Sequence, residues 1–136
     1  MIKWVYGFIG LLMLVLVGGC TGQPGTGSEI VLDGSNDGET ITLDAGQELV
    51  IHLEANPSTG YGWQVVDAGD GVLEQVGEAE FTPSARGRRV VGAGGTETLR
   101  FKAAQAGTTT LELVYRQPWE GGAQSDETFQ VSVTVR

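Results

Sequence analysis

The sequence predicts an all-β protein, an immunoglobulin-like antiparallel β-sandwich of roughly eight strands. Three observations lead there. After residue 28 the side chains alternate apolar and polar with the two-residue period of a half-buried strand, and no segment carries a sustained helical stripe. The alternating runs are short and are separated by Asp-, Asn-, Gly- and Pro-containing turn segments. The only cysteine, Cys20, precedes all of them, so the domain has no internal disulfide and must be held by apolar burial.

Residues 1–20 read MIKWVYGFIGLLMLVLVGGC, with Lys3 ahead of an apolar run and small residues at its end. That is the layout of a secretory signal peptide. The run from Trp4 to Val17 is short of the roughly 20 residues a membrane-spanning helix needs. The last four residues of the 1–20 segment, Val17-Gly18-Gly19-Cys20, resemble a bacterial lipobox. The resemblance implies cleavage before Cys20, lipid attachment to its sulfur and an extracytoplasmic protein held to a bacterial cell membrane or outer membrane. Thr21 stands where Asp is associated with inner-membrane retention. Residues 21–28, TGQPGTGS, carry no charge and no apolar side chain and are expected to form a flexible linker.

The domain is expected over 29–136, with strands near 29–33, 39–43, 47–55, 62–67, 73–81, 97–104, 108–116 and 127–135. Leu49, Ile51 and Leu53 alternate with Val50, His52 and Glu54; Leu111, Leu113 and Tyr115 with Glu112 and Val114; Phe129, Val131, Val133 and Val135 with Gln130, Ser132, Thr134 and Arg136. Turns are expected at Asp33-Gly34, Asp44-Ala45-Gly46, Ala68-Gly69-Asp70-Gly71 and Gln105-Ala106-Gly107. Trp63 is the candidate for the buried tryptophan of such a sandwich.

Composition removes several function classes. The formal charge is −9, and removal of residues 1–20 takes away only Lys3, which disfavours nucleic acid and anionic lipid surfaces as partners. Any membrane association is then through the lipid alone. His52 is the only histidine, sits in an alternating strand, and has no G-x-S-x-G nucleophile elbow to serve. One histidine and no domain cysteine leave no zinc site. The two aspartates of the Asp67–Asp70 turn are a weak calcium signal. The expectation is a protein that is not an enzyme and needs no cofactor.

Three loops have compositions that solubility does not explain. In Asn56-Pro57-Ser58-Thr59-Gly60-Tyr61-Gly62-Trp63 the Asn-Pro pair stops a strand, Ser58 and Thr59 make a small polar tip, and Gly60 and Gly62 permit a sharp reversal around Tyr61. Trp63 would bury its ring and fix the base of the loop. Gly92-Ala93-Gly94-Gly95-Thr96 lacks nucleotide-binding spacing; it is a mobile connection or a place of close backbone approach. Tyr115-Arg116-Gln117-Pro118-Trp119-Glu120 sets an aromatic after proline in a polar loop, so Trp119 either caps the sandwich or anchors a partner.

Taken together, these loops resemble the chagasin-like inhibitors of papain-family cysteine proteases. N-P-S-T-G-Y-G-W is similar to the family's N-P-T-T-G-aromatic-x-W signature, G-A-G-G-T-E to its second motif, and the Pro-Trp of R-Q-P-W to its third. The likeness covers essentially 29–136 and implies an immunoglobulin-like sandwich with the three loops gathered at one end. It implies that Asn56, Pro57, Ser58, Thr59, Gly60 and Tyr61 enter the protease cleft, with Thr59 and Gly60 near the catalytic Cys and His. Gly92, Ala93, Gly94 and Gly95 would line one side, and Pro118 and Trp119 the other. The usual third motif has Arg before Pro, where this chain has Gln117; the nearest Arg is Arg116, so the contact made by that Arg is in question. The implied protein is a reversible, monomeric inhibitor. The residues without the resemblance also fit a tethered immunoglobulin-like adhesion module, or an envelope lipoprotein that scaffolds its neighbours.

Overall fold

The computed structural model describes residues 28–84, 92–119 and 124–136. The expected signal peptide, Cys20 and all but the last residue of the expected linker lie outside the described residues, as does the basic segment Arg86-Gly87-Arg88-Arg89. Among the described residues the strands are β1 (Ile30–Asp33), β2 (Thr40–Leu43), β3 (Glu48–Ala55), β4 (Gly62–Asp67), β5 (Leu73–Gln75), β6 (Glu80–Pro83), β7 (Gly95–Ala103), β8 (Gly107–Arg116) and β9 (Gln124–Val135). No α-helix occurs among them. The single strand expected over 73–81 is two, because the chain leaves the ladder after Gln75 and turns at Gly77, whose φ is 71°.

Two sheets face each other. One has the order β1-β3-β7-β5, with β6 also pairing β7; the other has the order β2-β9-β8-β4. The sequence predicted an immunoglobulin-like antiparallel sandwich; the sandwich is there, but β1–β3 and β2–β9 are parallel pairs, so both sheets are mixed. The first two strands are dealt one to each sheet, and neither meets its neighbour through a hairpin. Without a tight turn, nothing forces an antiparallel pairing.

Alternation along the strands turns one residue set into the core. Leu49, Ile51, Leu53 and Ala55 of β3 and Leu99, Phe101 and Ala103 of β7 face Leu111, Leu113 and Tyr115 of β8 and Phe129, Val131, Val133 and Val135 of β9, all buried. His52 lies on the outer face, with Nδ1 2.8 Å from Thr98 Oγ1 on the neighbouring strand, which is a structural contact. At the Asp67 turn the carboxylate accepts the Gly69 N–H at 2.7 Å. No cluster of three or more His, Cys, Asp or Glu able to hold a metal occurs among the described residues.

The registers Ala55↔Gly95, Pro83↔Gly95 and Gly62↔Arg116 bring the exits of β3, β6 and β8 and the entrances of β4 and β7 to one end. At the other end β1 begins, Ile30 beside Leu49, and β9 finishes, Val135 beside Leu43 and Gly107.

Candidate functional site

All three conspicuous loops emerge at the first of those ends. The central one is a single 3₁₀ turn, Pro57–Thr59, between β3 and β4. Its shape follows from its sequence. Pro57 pre-sets the first turn position, and the Asn56 side chain caps it by accepting from Ser58 N and Ser58 Oγ. Thr59 Oγ1 donates back to Asn56 O at 2.7 Å, and Gly60 N donates to Pro57 O at 2.9 Å. Gly60 then reverses the chain at φ 80°, a conformation that favours glycine. Gly62, expected to share that role, is instead extended within β4. The polar groups of the turn are thus spent on the turn itself, which leaves Pro57, Ser58 and Thr59 exposed at a stiff tip.

Beneath the tip is an aromatic stack. The Tyr61 and Trp63 rings lie 5.4 and 5.2 Å from the Tyr115 ring, centroid to centroid. Trp63 is buried, as the sequence required of a loop-anchoring residue. Its indole N–H donates to Glu54 O at 2.9 Å, and the Tyr115 hydroxyl accepts the Asn56 N–H at 2.8 Å. Both bonds cross from one sheet to the other, at the two stems of the loop.

The second loop packs against the first. Asn56 Nδ2 donates to Gly92 O at 2.8 Å. Gly94 passes so near the β3 exit that a Cβ there would sit 2.8 Å from Ala55 O, and a Cβ on Gly95 would overlap Thr82 O of β6. Close backbone approach therefore explains these two glycines; Gly92 has a φ of 83° and turns the chain. Ala93 lies between them, half-buried.

The third loop leans on the first from the other side. A Cβ built on Gly60 would lie 2.5 Å from Trp119 Cη2 and 3.2 Å from Cζ3. Trp119 is nevertheless 54% exposed, so it caps no core. Gln117, also unremarked as a contact in the sequence, approaches Thr59 O with its Nε2 at 3.4 Å. Arg116 turns away, its Nε donating to Gln64 Oε1 at 2.7 Å on β4, and Pro118 is exposed. Asn56, Gly60 and Thr59 are therefore held from both flanks, and the three loops form one wedge.

Sequence reasoning missed one buried group at this end. Glu97 occupies an inward position of β7 and accepts the Trp63 N–H through Oε2 at 3.2 Å. Desolvation raises its carboxyl above the ordinary glutamate range, and the bond from Trp63 opposes this. The signal was present: an acid in the phase of Leu99, Phe101 and Ala103.

Comparison with known proteins gives the arrangement a context. The family model described as Chagasin family peptidase inhibitor I42 matches residues 42–133, which contain all three loops. Amoebiasin-1 of Entamoeba histolytica is 36% identical over 101 residues, covering 74% of this chain and 94% of that protein. Chagasin of Trypanosoma cruzi is 33% identical over 101 residues, covering 71% and 89%. The crystal structure of a cysteine protease inhibitor from Entamoeba histolytica superposes with a TM-score of 0.62 at 25% identity, over 79% of this chain and 96% of that one.

Proposed function

The chain belongs to the chagasin family of peptidase inhibitors, and we propose that its three-loop wedge plugs the active-site cleft of papain-type cysteine proteases. It is an inhibitor and not an enzyme. The observation that carries the wedge reading is that Asn56 Nδ2 grips Gly92 O while Trp119 rests on Gly60, so three separate loops present a single surface. A surface ordered before docking loses little conformational entropy on binding. The tip, Pro57–Thr59, is narrow and its side chains are small, as an extended peptide cleft demands. Its carbonyls belong to a 3₁₀ turn and not to an extended strand, so it offers the nucleophile no substrate-like scissile bond. Occlusion is reversible and needs no chemistry from the inhibitor.

Asn56–Tyr61 would enter the cleft, Gly92–Gly95 would follow one wall, and Pro118 with Trp119 the other. Arg116, tied to Gln64, would contribute at the rim. The Val17-Gly18-Gly19-Cys20 motif supports lipid attachment at Cys20, and the charge of −9, through mutual repulsion, supports a monomer. The adhesion-module alternative has no observation of its own. Titration of papain with residues 21–136, followed by a fluorogenic substrate, tests the reading: stoichiometric loss of activity that returns on dilution is expected, and undiminished activity at micromolar inhibitor would refute it.

A further inference from the structure

A buried carboxylate beneath a binding loop is costly to keep, and that cost directs attention to what it holds. Glu97 is 9% exposed, on an inner face otherwise filled by Leu53, Leu99, Trp63 and Tyr115. In register it lies between Leu53 of β3 and Phe81 of β6, and Gly62 and Trp63 face it from β4. Among the described residues no ion pair to it occurs. On the surrounding elements His52, Glu54, Glu80, Arg100 and Lys102 lie in the outward phase, Tyr115 stacks behind the Trp63 ring, and Glu127 of β9 is exposed. What the carboxylate does have is the Trp63 N–H, the first backbone donor after the loop rejoins a strand.

We propose that Glu97 is a positioning residue for inhibition: its carboxylate takes the Trp63 N–H across the sandwich and fixes where the central loop re-enters β4. The two other cross-sheet bonds, Asn56 N to Tyr115 Oη and Trp63 Nε1 to Glu54 O, fasten the same pair of stems. Glu97 supplies the third fastening and the one whose acceptor can carry a charge; in its ionised form it makes the stronger bond. The fold gives up stability for it, because the ionised form is the one that burial penalises. The proposal rests on the protease reading above.

Glu97→Gln separates the two effects, since it keeps an acceptor oxygen and removes the charge. A carboxyl whose pKa is raised on folding contributes stability that is present below its unfolded value, about 4.3, and lost as pH rises through the folded one. The Gln variant's melting temperature relative to wild type should therefore climb between pH 4 and pH 7.5. Its affinity should move the other way: Kd for papain about threefold or more weaker than wild type at pH 7.5, the charged-to-neutral acceptor difference. That ratio should fall towards one at pH 4.5, and taking the ratio at each pH cancels the titration of papain itself. A purely structural role would leave the ratio flat. A Gln variant as potent as an inhibiting wild type at every pH overturns the role of Glu97 alone. So does a Gln variant that fails to fold or grows less stable than wild type as pH rises. A wild-type chain that does not inhibit papain overturns the protease reading and this proposal with it.

Discussion

Replacement of Gly60 by alanine tests how the wedge is made. The residue has a φ of 80°, and its missing side chain is where the Trp119 ring lies, 2.5 Å from the nearest ring carbon. Two costs follow. The left-handed conformation penalises any Cβ by about 1–2 kcal/mol, and the ring must also swing away to clear the methyl group. If the loop pays by relaxing out of its bound shape, the first cost alone weakens inhibition by about 5- to 30-fold. The melting temperature should change far less, since Pro57–Thr59 buries no residue. The assay is inhibition of papain by wild type, Gly60→Ala, Trp119→Ala and the double variant, each with a thermal melt. In the Trp119→Ala background the steric part is gone, so Gly60→Ala should cost less there than in wild type. Equal losses in both backgrounds would show that the ring and Gly60 act independently. Undiminished inhibition by Gly60→Ala would show that the left-handed turn is irrelevant to binding.

Trp119→Ala by itself should weaken binding by about 2 kcal/mol or more, read by inhibition titration, with little change in denaturation midpoint because the ring is half in solvent. Tyr115→Phe removes the acceptor of the Asn56 N–H and should cost about 1–3 kcal/mol of stability, measured by urea denaturation, together with a loss of inhibition. Phe101→Ala, at the centre of the core, should cost about 3–5 kcal/mol in the same experiment. Cys20→Ser should move the protein out of the membrane fraction or leave an uncleaved precursor on a denaturing gel; unchanged size and fractionation would refute lipid attachment.

Much of the fold was legible because a sandwich core is one-sided. A strand with one wet face writes its burial pattern into alternate residues, and β9 does so plainly, whereas in β3 and β8 the outward Val50 and Val114 are buried as well. Alternation does not name a neighbour, however, so the parallel pairings of β1 and β2 had no signature in it. The break between β5 and β6 did have one in Gly77, masked by the apolar residues around it. Loop composition marked Asn56–Tyr61, Gly92–Gly95 and Trp119 as unusual, but contacts between loops are long-range. The bond from Asn56 to Gly92 O spans 36 positions and that from Gln117 to Thr59 O spans 58. Glu97, the last residue of the G-A-G-G-T-E motif, was given no role of its own because a lone acid on a strand ordinarily points to water, and its phase carries meaning only once the inward set is known.

The parallel pairing of β1 with β3 decides how the inhibitor faces the world. Because β1 begins beside Leu49 and runs towards Ala55, the chain joins the domain at the pole opposite the loops, and β9 runs back to that same pole. A tether at Cys20 would leave nine residues before Ile30, a reach of at most about 30 Å, and would leash the domain by its base. On such a tether the loops would point away from the bilayer. A domain leashed at the loop pole would have its own anchorage in the way. The same polarity makes either terminus a suitable handle for a bead, a surface or a second inhibitor copy, with the working face left uncovered.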